Sequence, residues 1–409
     1  MIKRTILTEI ENSVKSRPVT LITGARQVGK STLASLFMDK GFSYISLESM
    51  REAEMAKSQP ETFLSLFKTP LIIDEAQRAP ELFQAIFHRV NEEKMRRGDN
   101  YGMYILIGSQ MYRLMQGVGE SLAGRIGIVH IPPLSRSELL GRDEPTFLFD
   151  LPALHRRSSP KLEAKDLFDL IVRGFYPELH ANPSLSARSF YSSYVETYIE
   201  RDVSEIINVK DKFAFRRFME LLASLTGQEL IYDKIAKTIG IDLKTVQNWL
   251  SVLLAGDIVY LLEPYYEMSL AKRITKRSKL YFSDTGLAAY LARLDIPENL
   301  MISAFSGAFV ETYAINEIRK TFLNNGIPNP PMYYYRDFNQ NEIDLVILFG
   351  GKIHRIEIKS GSNYSKRDIK AFKQLDESRY LKGGGGILCL SEAAYPLDEE
   401  NYAAPIAGI

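Results

Sequence analysis

The stretch VTLITGARQVGKSTLASLF, residues 19–37, decides the first fold assignment. A β-rich apolar run leads into a loop with two glycines, and a helical pattern begins directly after the loop. The spacing G-x-x-x-x-G-K-S is the P-loop pattern, in which glycines let backbone N–H groups turn toward phosphate oxygens. A helix that begins at such a loop adds favourable charge for an anion. The sequence therefore predicts a nucleotide-phosphate site on a strand–loop–helix unit.

Two side chains of this loop have specific predicted tasks. Lys30 is expected to reach the β- and γ-phosphates, and Ser31 is expected to ligate Mg²⁺. We predict that the nucleotide contacts the whole loop and the first residues of the helix: Gly24, Ala25, Arg26, Gln27, Val28, Gly29, Lys30, Ser31 and Thr32.

A second motif, LIIDEAQ at residues 71–77, completes this prediction. An apolar strand that ends in two acids fits a Walker B motif. Asp74 would hold Mg²⁺ through water, and Glu75 would orient or deprotonate the attacking water. Ser109 ends another strand, YILIGS, and is either a γ-phosphate sensor or an ordinary turn residue.

The segment SLAGRIG contains Arg125. A guanidinium aimed at the γ-phosphate of a neighbouring subunit would stabilise the charge of the transition state. A solvated arginine or a structural ion pair is the more common role of such a residue.

Several segments together resemble the P-loop domain of a widespread prokaryotic group of AAA-type ATPases: GARQVGKST, LIIDEAQRAPELF, LIGSQ, LAGR and PPLSRSEL. In that group a conserved domain of unassigned function follows the ATPase domain. The second half of the chain is similar as well, in YIERDV at 198–203, LYFSDTGLAAYL at 280–291, GAFVET at 307–312, NEIDLV at 341–346 and IEIKSG at 356–361. The resemblance implies that the protein binds and hydrolyses ATP with Mg²⁺. It also implies a homo-oligomer, because AAA-type sites usually lie between subunits.

Residues 213–295 are predicted to form a winged helix-turn-helix. Gly240 would end the first helix through a left-handed turn, and Asp242 would cap the second helix. The side of the second helix that could meet a DNA groove carries Lys244, Thr245, Gln247 and Asn248. Five basic residues fall within 272–279, and a wing of this kind suits phosphate contacts. DNA is therefore the expected partner, and a winged helix used only for packing is the alternative.

Residues 296–409 carry a helix with Glu311, a strand with Asp344, and a further strand with Glu357 and Lys359. This order resembles the PD-(D/E)xK nuclease fold. The resemblance implies that Glu311, Asp344 and Glu357 bind a second Mg²⁺, or Mn²⁺, together with a backbone carbonyl. Lys359 would then orient the water and stabilise the developing phosphorane.

The alternation of side chains along the last strand supports this assignment. Glu357 and Lys359 lie on one face, and Ile356 and Ile358 lie on the other. The alternative is a simple ion pair of Glu357 with Lys359 or Arg355 on a solvated hairpin.

Composition sets the outer limits of these predictions. The 409 residues carry a formal net charge of +1, so any nucleic-acid site must be local. A single cysteine excludes an intrachain disulfide and fits a reducing compartment. The N-terminus has no long apolar run typical of a signal peptide, and no stretch is long enough to span a membrane. We therefore expect a cytoplasmic protein without a membrane segment.

The predicted fold class is α/β, with a parallel P-loop NTPase sheet of AAA type. The predicted domains are a P-loop domain at 1–140, a connector and helical lid at 141–212, the winged helix at 213–295, and a restriction-endonuclease-like α/β domain at 296–409. The glycine run GGGG at 383–386 is predicted to be a flexible connection. Two functions remain open: an ATP-dependent protein that acts on DNA, and a regulatory or signalling ATPase whose C-terminal domains bind protein partners without cutting nucleic acid.

Overall fold

A computed structural model describes residues 2–108, 124–150, 154, 162–197, 211–267 and 277–409. The chain forms two compact units. Unit 1 consists of Met1–Leu134, Val252–Asp257 and Leu323–Pro328, and unit 2 consists of Ser135–Ser251, Ile258–Phe322 and Asn329–Ile409. The boundary after Leu134 lies close to the predicted end of the first domain, and the division into four domains stays a prediction.

Unit 1 is built on a parallel sheet. Its strands are β1 Val19–Thr23, β2 Ser43–Ser46, β3 Leu71–Asp74, β4 Tyr104–Ile107 and β5 Ile126–His130. Among the described residues these five strands are ordered β2–β3–β4–β1–β5, and every pair is parallel. Every residue of β1, β3 and β4 is buried, as expected for a sheet covered on both faces. The parallel sheet predicted for the P-loop domain is confirmed.

Helices alternate with these strands. They are α1 Leu7–Ser16, α2 Lys30–Ser35, α3 Met50–Ser58, α4 Pro60–Ser65 and α5 Leu82–Arg97. Apolar side chains of the strands pack against those of the helices, including Leu21, Ile73, Leu106, Ile86 and Val90, all of which are buried. Parallel strands place their carboxyl ends at one edge of the sheet, and the P-loop and the Walker B acids follow β1 and β3 at that edge.

A series of helices follows Leu134. These are α6 Arg136–Leu139, α7 Ala164–Arg173, α8 Pro177–Ala181, α9 Ala187–Tyr194, α10 Lys212–Ser224, α11 Tyr232–Ile239 and α12 Leu243–Ala255. A small sheet accompanies them, with β6 Gln228–Glu229, β7 Val259–Leu262 and β8 Lys279–Phe282 antiparallel in the order β6–β8–β7. Helix α11 ends at Gly240 with a φ of 83°, and the Asp242 carboxylate accepts the backbone N–H of Thr245 at 2.9 Å. Both predicted helix ends are therefore confirmed.

Three more helices lead to the last sheet: α13 Thr285–Leu291, α14 Pro297–Ile302 and α15 Ser306–Asn324. The strands that follow are β9 Met332–Arg336, β10 Glu342–Phe349, β11 Lys352–Ile358, β12 Leu381–Cys389, β13 Tyr395–Pro396 and β14 Asn401–Pro405. In the described part of the chain they form a mixed sheet in the order β13–β14–β12–β11–β10–β9. The pairs β11–β12 and β12–β14 are parallel, and the remaining pairs are antiparallel.

The glycine run at 383–386 corrects a prediction. It lies within β12 and is therefore not a flexible connection. A Cβ atom on Gly384 would collide with the carbonyl oxygen of Phe149, and one on Gly383 would press on the ring of His354. The glycines are needed because other chain segments approach the strand closely, not because the chain bends there.

Some predicted features lie outside the described residues. These are Ser109, the segment YIERDV at 198–203, and residues 272–276 of the basic run. Among the described residues, no helix is long and apolar enough to cross a membrane.

Candidate nucleotide site and a C-terminal acidic cluster

The backbone of the P-loop requires glycine where the sequence places it. Gly24 has a φ of 139°, and a Cβ atom there would collide with the carbonyl oxygen of Ile131. Gly29 has a φ of 95° and precedes the first residue of α2. Arg4 supports the loop from outside, because its buried guanidinium donates to the carbonyl oxygen of Val28 at 2.9 Å. The loop is thus a fixed cradle at the start of a helix.

The Lys30 ammonium is bound by backbone carbonyl groups of this loop. Its side chain is buried, and Nζ donates to the carbonyl oxygens of Gly24 at 3.0 Å and Ala25 at 2.6 Å. Burial lowers the pKa of Lys30 to about 8, although the charges of Glu75 and Asp74 oppose this effect. The predicted lysine is therefore in place, and its hydrogen-bond partners are two backbone carbonyl groups of the loop.

The other predicted loop residues differ in their exposure. Ser31 and Thr32 lie in the first turn of α2 and are exposed, whereas Ala25 and Val28 are buried. Gln27 is exposed and has a left-handed backbone with a φ of 62°. Exposed hydroxyl groups at the start of the helix are accessible to a cation or a phosphate.

The Walker B acids lie at the carboxyl end of β3, as the motif predicts. The Asp74 carboxylate accepts the backbone N–H of Glu75 at 2.8 Å and the hydroxyl of Tyr44 at 2.7 Å. Glu75 has a φ of 54°, which is unusual for a residue with a side chain, and its carboxylate accepts the side-chain amide of Gln77. Each acid is thus held by a partner that the motif does not specify.

Arg125 lies at the other end of the sheet. It precedes the first residue of β5, and its carbonyl oxygen accepts the N–H of Val19 at the start of β1. The guanidinium donates to the side-chain oxygen of Asn91 at 2.9 Å and lies 4.6 Å from the ring centre of Phe87. Arg125 therefore does not face the P-loop of its own chain, and its predicted role toward a neighbouring subunit stays a prediction.

In unit 2, an antiparallel pair brings three of the four predicted C-terminal residues together. Leu345 lies opposite Ile356, so Asp344 lies opposite Glu357 on β10 and β11. The ammonium of Lys359 is 2.7 Å from the Glu357 carboxylate and 3.5 Å from that of Asp344.

Burial makes this pair of acids costly. Glu357 is 4% exposed, and burial together with the nearby Asp344 carboxylate raises the pKa of Glu357 to about 9. The backbone N–H of Ile358 donates to the Asp344 carboxylate at 2.8 Å and fixes its orientation. The alternative is wrong in one part, because Asp344 on the hairpin is buried and not solvated, and right in the other, because Glu357 pairs with Lys359.

Glu311 has other partners. Its carboxylate accepts the ammonium of Lys279 at 2.9 Å and the hydroxyl of Tyr281 at 2.6 Å. Burial raises the pKa of Glu311 to about 7, with Lys279 opposing and Asp344 reinforcing the shift. Across the described residues, no group of three or more histidine, cysteine, aspartate or glutamate side chains is arranged to hold a metal ion. The predicted three-carboxylate set is therefore not assembled, and Asp344 with Glu357 is the part that converges.

Lys279 is one of the five basic residues of the predicted wing, and the structure removes it from that set. It is only 3% exposed and also pairs with Glu342 at 2.6 Å. The sequence contains one clue: Lys279 and Tyr281 are two residues apart on β8 and therefore lie on the same face of the strand. The ion pairs themselves are not evident from the sequence, because the partners Glu311 and Glu342 come from a distant part of the chain.

The first unit has the fold and the two motifs of an AAA-type P-loop ATPase domain, and comparison with known families agrees. Residues 16–140 match a family model described as an AAA domain. Residues 164–298 and 306–409 each match a model described as a domain of unknown function, DUF8612 and DUF4143 respectively. The chain therefore carries an AAA domain followed by two further domains.

Among individual proteins, the chain is similar to the uncharacterized protein Rv2008c of Mycobacterium tuberculosis. The two are 26% identical over 412 residues, which cover 98% of this chain and 83% of that protein. The uncharacterized protein Mb2031c of Mycobacterium bovis is similar to the same extent.

Solved structures show more distant similarity. The Walker-type ATPase paby2304 of Pyrococcus abyssi is 16% identical with a TM-score of 0.44, covering 71% of this chain and 96% of that one. A RuvB variant of Thermotoga maritima is 14% identical with a TM-score of 0.29, covering 62% and 88%. At these values neither structure carries an argument about the function of this chain.

Proposed function

We propose that the first domain binds ATP with Mg²⁺ and hydrolyses it. The observation that carries this proposal is the buried Lys30 ammonium in the P-loop cradle, with Asp74 and Glu75 as its nearby acids. A hard cation prefers oxygen ligands, and the exposed Ser31 hydroxyl and the Asp74 carboxylate are of this kind. These residues fit a nucleotide-bound Mg²⁺, which would neutralise phosphate charge.

The loop, Lys30 and Glu75 have different roles in this proposed reaction. Backbone N–H groups of the loop and the start of α2 bind phosphate oxygens, and Lys30 exchanges its two carbonyl partners for them. Glu75 accepts a proton from the attacking water or orders that water, with Gln77 fixing the position of its carboxylate.

Two variants test this function. Lys30→Ala should abolish nucleotide binding, whereas Glu75→Gln should keep binding and lower hydrolysis by about 10²–10⁴-fold. Binding is measured with a fluorescent ATP analogue, and hydrolysis by phosphate release. Lys40→Ala is the matched control, because Lys40 is an exposed lysine whose ammonium pairs with the Glu11 carboxylate at 2.6 Å. Turnover by Glu75→Gln at the parent rate would remove Glu75 as the base.

As a second function, we propose metal-dependent cleavage of DNA at the Asp344–Glu357 pair. Two buried carboxylates face each other and already share one cation, the ammonium of Lys359. Two neighbouring carboxylates repel each other unless a positive charge lies between them. Mg²⁺ or Mn²⁺ held by these two acids would polarise a phosphodiester, and Lys359 would then stabilise the charge that develops on it.

The exposed side of α12 supports DNA as the partner. Lys244, Gln247 and Asn248 are exposed, while Val246, Trp249 and Leu250 on the other side are buried. Polar side chains on the second helix of such a motif are positioned for base and phosphate contacts. The competing function, a regulatory ATPase that binds protein through its C-terminal domains, predicts no cleavage.

Glu357→Ala separates these functions. It should abolish Mn²⁺-dependent cleavage of a DNA substrate while ATP hydrolysis stays at the parent rate, because the two sites use different residues. The exposed Glu377 offers a control, since Glu377→Ala should leave both activities intact. If the parent protein cuts no DNA, and if DNA does not accelerate its ATP hydrolysis, the regulatory ATPase is the better supported function.

A further inference from the structure

Tyr44 makes a contact that no motif accounts for. It lies on β2, the edge strand, and its hydroxyl donates to the Asp74 carboxylate at 2.7 Å. The register of the parallel pair places Tyr44 opposite Ile72 and Ser46 opposite Asp74. The phenol ring therefore reaches diagonally along the sheet to the end of the neighbouring strand.

This contact completes the support of the Asp74 side chain. Oδ1 accepts the backbone N–H of Glu75 at 2.8 Å, and Oδ2 accepts the hydroxyl of Tyr44. The carboxylate is thus oriented from both oxygens, and it is buried. An ionised carboxylate offers about four acceptor positions, so each oxygen can still accept a water from a cation's shell.

We infer that Tyr44 is a positioning residue for Asp74 and sets the affinity of the nucleotide site for Mg²⁺. The inference rests on the proposed ATP hydrolysis. Groups that hydrogen-bond to a metal-binding carboxylate hold it in the productive orientation, and their loss typically lowers metal affinity by about 10–100-fold.

The experiment compares the parent chain, Tyr44→Phe and the control Tyr101→Phe. Phenylalanine keeps the ring on the edge strand and removes only the donor. Tyr101 is exposed and lies in the loop before β4, so its change should have no effect. ATP hydrolysis is measured against Mg²⁺ concentration, and ATP binding is measured separately in EDTA.

For Tyr44→Phe we expect the half-saturating Mg²⁺ concentration to rise about tenfold. The rate at saturating Mg²⁺ and the affinity for ATP in EDTA should match the parent, a pattern that a general loss of structure would not produce. Parent-like Mg²⁺ dependence would overturn the inference, and so would a lower half-saturating concentration, which would mean that the hydroxyl competes with the ion. A parent chain that neither binds nor hydrolyses ATP would instead refute the proposed function, and the inference with it.

Discussion

The ammonium of Lys30 is placed where its charge is costly without a ligand. Its side chain is buried, and its hydrogen-bond partners are the carbonyl oxygens of Gly24 and Ala25, which carry no full charge. Burial accordingly lowers the pKa of Lys30 to about 8. A bound triphosphate would supply the missing negative charge and raise this pKa again.

ATP binding should therefore take up a proton at mildly alkaline pH. Between about pH 8 and the ordinary lysine pKa, the free protein loses the Lys30 proton and the complex keeps it, so affinity for ATP falls as pH rises. Calorimetry at about pH 8.5 in two buffers of different ionisation enthalpy measures this uptake. Lys40→Ala should show the same uptake as the parent. Binding heats that do not depend on the buffer would contradict a depressed pKa at Lys30.

The residues of the nucleotide site divide into those that the sequence predicts and those that it does not. Gly24, Lys30 and Asp74 follow from spacing alone, because backbone and phosphate geometry require those residue types at those intervals. Tyr44 and Gln77 do not, because a tyrosine on an edge strand and a glutamine after two acids are common. Only the pairing of β2 with β3 and the turn after β3 bring them to the two acids.

The same distinction applies to the strands. The strands of the first sheet were predictable because each is a short apolar run between turn signals, and a parallel sheet buries such runs on both faces. The glycine run at the start of β12 was not, because glycine weakens the interior of a strand. The reason for the glycines lies in other parts of unit 2, where Phe149 and His354 pack against the strand.

Gly384→Ala tests whether close packing, not flexibility, explains the run. The added methyl group would collide with the Phe149 carbonyl, so we expect the free energy of unfolding to fall by about 3 kcal/mol or more. Urea denaturation followed by circular dichroism measures it. Gly307→Ala is the control, because Gly307 lies in α15 with open space around its Cα, and alanine there should maintain or raise stability. Equal stability of parent and Gly384→Ala would show that the strand has room for a side chain.

In the C-terminal cluster, the sequence predicted which residues come together more successfully than it predicted the partners of each residue. The pattern of Asp344 followed by E-x-K on the next strand predicted that Asp344 and Glu357 lie close together, and the pairing of β10 with β11 confirms this. Glu311 is held instead by Lys279 from β8, a strand whose sequence resembled part of a basic wing. A motif defined on one sheet does not report a cation supplied by another.

The predicted role of Arg125 depends on a neighbouring subunit of a homo-oligomer. It lies before β5, a strand of five residues that spans roughly 16 Å, whereas the P-loop lies at the carboxyl end of the sheet. Within one subunit the guanidinium is thus directed away from its own nucleotide site. If Arg125 acts in hydrolysis, it must do so on the site of a neighbouring subunit, and its contacts with Asn91 and Phe87 then hold it in position.

Mixed subunits test this role directly. Arg125→Ala alone should lower the ATP hydrolysis rate by about 10³-fold or more, as does loss of a transition-state arginine in trans. Mixed with Glu75→Gln chains, it should regain activity, because an Arg125→Ala subunit keeps an intact Glu75 and receives the arginine of its Glu75→Gln neighbour. Arg96→Ala is the matched control, since Arg96 is an exposed arginine of α5 that pairs with Glu93, and its rate should stay near that of the parent. If Arg125→Ala hydrolyses ATP normally and no mixture exceeds the sum of its components, Arg125 serves only to tie β5 to α5 within one subunit.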